Sequence, residues 1–200
     1  MARQPANEVR AHILDAASGL FDAYGIHAVG MQQIIDSYGC GKNLLYREFP
    51  SKDDLVVAYL RRCRQDWPAH LAEVAQAYPD DPAEQLVGLV RIVVGKATRA
   101  GTRGCPLHNT YAEYPDVDHP AHQVAAEHFA TVRNDLDDLA TRSGADDPAT
   151  LADRIMLIID GVNANGAALG PGGAVASAVS FAEEIVAAAV GRPGSRPARG

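Results

Sequence analysis

Residues 31–49, MQQIIDSYGCGKNLLYREF, constrain this chain more than any other stretch. Two short runs flank Gly39-Cys40-Gly41, and so tight a turn limits how the runs can lie. Met31, Ile34 and Ile35 recur at helical spacing, so 31–38 reads as a short helix with an inward apolar face. Lys42 to Glu48 reads as a second helix, with Leu45 inward and Phe49 closing the cluster. Gly39 permits the left-handed backbone conformation that the turn needs. Two short helices joined in this way define helix-turn-helix geometry, in which the second helix lies in the major groove of DNA. Lys42 and Tyr46 are one helical turn apart and share a face, within reach of phosphates or base edges. Asn43 offers both a donor and an acceptor, which suits an adenine edge. From spacing alone, the same residues equally well build an αα-corner with no role on DNA.

The rest of the chain reads as helix throughout. EVRAHILDAASGLFDAY (8–24) places Val9, Ile13, Leu14, Ala17, Leu20 and Phe21 at three- and four-residue spacing, and Gly25 stops it. Ser51 is an N-cap with Asp53 and Asp54 in the first turn of a long helix over 52–77, kinked at Trp67-Pro68. Further helices are expected at 83–100, from Cys105-Pro106 onward, at 121–142, 149–169 and 174–190. Residues 192–200 read as a disordered tail. No strand pattern, internal repeat, P-loop or dinucleotide-binding glycine fingerprint is present. The expectation is an all-α fold of about nine helices, with a helix-turn-helix head over 1–50 and a larger helical domain over 51–191.

Charge divides the chain in the same way. The net charge is -7, yet up to Arg64 there are eight Lys/Arg against seven Asp/Glu, and beyond it ten against eighteen. The first third is spared the acidity of the remainder, which suits a division of labour. Cys40, Cys63 and Cys105 have no CxxC spacing and read as small apolar residues rather than a disulfide framework or zinc site. His108, His119, His122 and His128 share no face with a nearby carboxylate in a familiar metal-binding arrangement, so capping or solvated roles are expected. No cofactor and no metal is implied. No apolar run approaches the roughly 18–20 residues that span a bilayer, so the chain reads as soluble and cytoplasmic, without a membrane partner.

The ordered series ILDAASGLFDAYG (13–25), MQQIIDSYGCGKNLLYREF (31–49) and PSKDDLVVAYL (50–60) resembles the tetracycline-repressor (TetR) family of transcriptional regulators. The strong match covers residues 9–60. The resemblance implies DNA contacts from Gln32 and Gln33 on the second helix. It implies others from Lys42, Asn43, Leu44, Tyr46 and Arg47 on the recognition helix, with Tyr46 and Arg47 on phosphates, and from Lys52 at the next helix start. There are departures. Gly30 stands where the family usually has a Ser or Thr cap, Ile35 where a small Ala is common, and Gln32 where arginine often aligns. One hydroxyl contact to phosphate is therefore missing, the two helices are expected to pack slightly apart, and salt-dependent affinity is expected to be lower.

The resemblance also implies a ligand pocket in the larger domain. Its candidate lining is Tyr59, Cys63, Trp67, Leu86, Leu89, Val90, Val93, Leu107, Tyr111, Phe129, Val132, Arg133, Leu136, Met156 and Ile159. Trp67, Tyr111, Phe129 and Met156 are large or adaptable, as an apolar cavity requires. GTRGCPLHNTYAEYPDVDHPAHQVAAEH (101–128) resembles a pattern in a subset of the family and is read as structural, with Asn109 and Glu113 tying down loops. The last two helices are apolar nearly all round and rich in small residues, so they want another surface. A two-fold interface through Ile158, Val162, Ala164, Gly166, Leu169, Ala178, Phe181, Ala182 and Ile185 would place two recognition helices on successive major grooves. The resulting expectation is a homodimeric, ligand-responsive repressor. It grips a near-palindromic double-stranded operator, is released by a small apolar effector, and has no catalytic residues. The rival readings are an architectural DNA binder without effector and an enzyme on a helical scaffold.

Overall fold

The computed structural model describes residues 6–99 and 101–191, with side chains from Glu8 onward. The expected disordered tail lies outside the described residues. Among those described there are eleven helical segments and no strand: α1 (Ala6–Tyr24), α2 (Met31–Tyr38), α3 (Lys42–Glu48), α4 (Lys52–Cys63), α5 (Asp66–Ala77), α6 (Pro82–Ala97), α7 (Pro106–Glu113), α8 (Pro120–Arg142), α9 (Pro148–Leu169), α10 (Gly173–Ala176) and α11 (Ala178–Val190). The all-α expectation holds. The described residues form two compact units, one of 6–66 with 101–128, the other of 67–99 with 129–191.

In the first unit, α1, α2 and α3 pack against one another and α1 packs on α4. Ile13, Ile34, Leu45, Phe49, Leu55 and Leu60 are fully buried there. Each such side chain stabilises the unit by about 1.5–3 kcal/mol relative to exposure. Gly39 closes α2 at φ 72°, in the left-handed region, and its N–H reaches the carbonyl of Ile35 at 2.8 Å. Ser51 caps α4 reciprocally. Its Oγ accepts the Asp54 N–H at 3.0 Å, and the Asp54 carboxylate accepts the Ser51 N–H at 3.0 Å.

In the second unit, α6 lies against both α9 and α11. Leu86, Leu89, Val90, Val93 and Ala97 of α6 join Ile155, Ile158, Ile159 and Val162 of α9 and Ala178, Ala182 and Val186 of α11 in one core. Gly166 marks the closest approach, since a Cβ there would lie 2.7 Å from both the Cβ and the carbonyl oxygen of Ala97.

Two expected helices are each two segments. The run 52–77 breaks at Arg64-Gln65, ahead of Trp67-Pro68. Pro68 then falls in the first turn of α5, where backbone N–H groups have no intrahelical partner and proline costs little. The run 174–190 divides into the single turn α10 and α11, with Ser177 between them. These divisions account for eleven segments where about nine were expected.

Candidate nucleic-acid interface

The α2–turn–α3 unit presents polar groups on the side away from its core. Only Leu45 of α3 is fully enclosed, whereas Lys42, Asn43, Tyr46 and Arg47 are exposed and Leu44 is half-buried. The Lys42 ammonium lies 5.8 Å from the centre of the Tyr46 ring, so the two share one face as their spacing implies. The Arg47 guanidinium holds the Glu48 carboxylate at 2.7 Å. Gln32 and Gln33 are exposed on α2. The Gln32 amide donates to Asp36 at 2.8 Å. The Gln33 carbonyl oxygen accepts the Gly30 N–H at 2.7 Å, so α2 is capped from within although Gly30 has no side chain. The N–H donors of the Gln33 amide are what it can offer a base edge. Ile35, in place of a small residue, is buried.

Lys52 opens α4 and is half-buried. Partial burial lowers its pKa from the usual lysine value, while Glu113 and Asp53 oppose the shift. Lys52 thus stands at the N-terminus of a helix, where a phosphate is also favoured by the helix dipole.

Arg10 carried no expectation in the sequence, yet it touches the end of α3. Its guanidinium donates to the Glu48 carbonyl and stacks 4.0 Å from the centre of the buried Phe49 ring. A cation directly after Val9, the first apolar position of α1, was its one signal in the sequence. Nothing in the linear pattern names a backbone partner so far along the chain.

The head loop between α1 and α2 is also held. The Glu113 carboxylate accepts the His27 N–H at 2.9 Å, and the His27 ring pairs with the Glu113 carbonyl at 2.9 Å. The Tyr114 ring stacks with that of His27, centroids 4.9 Å apart, and with that of His119, 4.5 Å apart. Burial, with Asp53 and Glu113 nearby, pushes the Tyr114 hydroxyl up to about 12. His119 caps the start of α8 by accepting the Ala121 N–H at 3.1 Å, and His122 bonds the Tyr114 carbonyl at 2.8 Å. Asn109 ties the preceding loop through the Arg103 carbonyl at 3.0 Å.

The expected ligand-lining residues are distributed over both units. Tyr59, Cys63, Leu107 and Tyr111 belong to the first. Tyr59 is buried and its hydroxyl donates to the Asp22 carboxylate. Burial, with Asp22 close by, pushes the Cys63 thiol up to about 12. Leu107 is buried, whereas Tyr111 is 45% exposed with its ring 4.5 Å from that of His122. Trp67, Leu86, Leu89, Val90, Val93, Phe129, Val132, Arg133, Leu136, Met156 and Ile159 belong to the second. Most are core there. The Trp67 indole N–H donates to Asp135 at 2.8 Å, and Arg133 pairs with Asp153 at 3.0 Å.

An open groove of about 730 Å³ runs over α9, α10 and α11, and none of the expected ligand-lining residues borders it. Among its walls are Ile158, Val162, Ala178, Phe181 and Ile185, all expected at an interface, together with Leu157, which was not. Leu157, Leu169 and Phe181 are 70%, 58% and 53% exposed, and Ala164 is exposed too. Ile158, Val162, Gly166, Ala178 and Ala182 instead are buried within the chain, and Gly166 lies directly against Ala97 of α6.

Among the described residues no helix is long and apolar enough to cross a membrane. The family model of bacterial regulatory proteins, tetR family, matches residues 13–59. The transcriptional activator FasR of Mycolicibacterium smegmatis is 45% identical over 60 residues, 30% of this chain and 27% of FasR. The transcriptional regulator RutR of Escherichia coli K12 is 39% identical over 59 residues, 30% of this chain and 28% of RutR. These matches thus span less than a third of either relative. A crystal structure of a TetR-family transcriptional regulator from Streptomyces coelicolor superposes with a TM-score of 0.86 at 28% identity, covering 92% of this chain and 97% of that one. The helix-turn-helix segment is thus similar to that of the TetR family, and nearly the whole length shares the fold of a TetR-family transcriptional regulator.

Proposed function

We propose that this chain is a homodimeric, ligand-responsive regulator that binds a near-palindromic DNA operator through α2 and α3. The observation that carries the reading is the face of α3, where Lys42, Asn43, Tyr46 and Arg47 are exposed on a short helix fixed by a glycine turn. Lys42, Tyr46, Arg47 and Lys52 serve the backbone, and Gln32, Gln33, Asn43 and Leu44 face the bases. The functional domains are the head over 1–50 and the effector and dimer domain over 51–191.

Dimerisation through α9 and α11 is supported by the exposed Leu157 and Phe181 lining the open groove, and by the exposed Leu169 at the end of α9. Two heads then meet half-sites one helical turn apart, about 34–36 Å. A small apolar effector in the larger domain releases the DNA because it binds the incompetent state more tightly, and coupling of about 1–3 kcal/mol suffices. The bonds from Glu113 to His27 support a route from α7 to the head. The chain acts in the cytoplasm as a repressor, without catalysis. Selection of duplexes from a random-sequence pool tests the reading. Enrichment of an inverted repeat supports it, and enrichment of no sequence contradicts it. An architectural binder would retain DNA without sequence preference.

A further inference from the structure

We infer that Arg10 of α1 is a positioning residue for the recognition helix, acting from outside it as a C-terminal cap; the inference rests on the DNA-binding reading above. α3 is only seven residues long, and its N-cap Gly41 offers no side chain. So short a helix cannot hold itself in water. The last carbonyls of any helix lack intrahelical partners and carry partial negative charge. Arg10 meets both needs at once. It donates to the carbonyl of Glu48, the last residue of α3, and brings a positive charge to that end. Its planar group also lies 4.0 Å from the ring centre of Phe49, the residue that closes the helix and is itself fully buried. The carboxylate of Glu48 is meanwhile taken by Arg47, one of the exposed residues of the DNA face. Arg10 therefore fixes the backbone from which Tyr46 and Arg47 project, and it does so without needing to touch DNA.

Lysine keeps the charge but cannot both lie flat on a ring and donate from a rigid fork. This separates the inference from the obvious rival, that an exposed arginine simply binds phosphate. The experiment uses full-length protein and a duplex selected by the unaltered protein from a random-sequence pool. Binding of Arg10→Met and Arg10→Lys is followed by anisotropy across a salt series, on that duplex and on copies with base pairs changed within each half-site. A positioning residue gives a discrimination ratio lowered about tenfold in both variants, with an unchanged salt slope. A phosphate contact gives a slope shallower by about 2 per dimer in Arg10→Met, restored by lysine, with discrimination intact. That result, or no change in either variant, overturns the inference. If Arg10→Met leaves the head unfolded by circular dichroism, Arg10→Lys decides alone. Failure of the unaltered protein to select any duplex would sink the DNA-binding reading instead.

Discussion

Lys42 and Asp147 show how differently single side chains serve this molecule. Lys42 contributes little to the fold: it is exposed, and α3 is anchored by Leu45. Its substitution by methionine should leave the melting temperature unchanged and make the salt dependence of operator binding shallower by about 1 for each head. Asp147 is the opposite case. It caps α9 by accepting the Thr150 N–H at 3.1 Å and the Thr150 hydroxyl at 2.7 Å. These bonds to Thr150 hold its carboxyl below the ordinary 3.8. A folded pKa below the unfolded one means that the cap stabilises the chain above the ordinary value and is lost as pH falls through the folded value. Denaturant midpoints of Asp147→Ala should therefore lie below those of the parent at neutral pH and converge with them in strong acid. A constant gap at every pH would show that the carboxylate has no such role.

At the scale of elements, close packing decides what substitution tolerates. Gly166 lets α9 lie directly on the backbone of α6, so alanine there must push two helices apart. Gly166→Ala should destabilise the chain by about 1–3 kcal/mol in thermal unfolding, although alanine is intrinsically the better helix former. The start of α4 was legible because Ser51 caps it with its own side chain, as Asp81 and Asp147 do for α6 and α9 in the structure. The break at Arg64-Gln65 was not, because the sequence puts the conspicuous proline at 68, where a first turn absorbs it. The exposed face of α3 was legible from spacing, since exposure on a short helix follows its period. Arg10 was hidden because its partner is a carbonyl and a ring contributed by another helix.

For the whole molecule, the apolar terminal helices announced that they needed partners without saying which side faced which. Gly166 and Ala182 turn inward and Leu157 turns outward, and composition alone could not separate them. If the outward side joins two copies, Leu157→Glu combined with Phe181→Glu should shift the protein from dimer to monomer in analytical ultracentrifugation. Operator affinity should fall at least about a hundredfold as two-headed binding is lost. A double variant that stays dimeric and binds as before would place the interface elsewhere. If two copies bind DNA together, the acidity of the chain fits the same division, since such a face asks only for local cations, repeated by a second subunit.

The central claim is that two copies of this head read one DNA site, and fluorescence anisotropy tests it most directly. Full-length protein would be titrated against DNA from immediately upstream of its own coding sequence across a salt series. The account expects tight binding with two protomers per site, competed by the same fragment and not by random DNA, with a slope that reflects several phosphate contacts. Weak binding would contradict it if its strength followed salt alone, random DNA competed equally, and no duplex drawn from a random pool bound better.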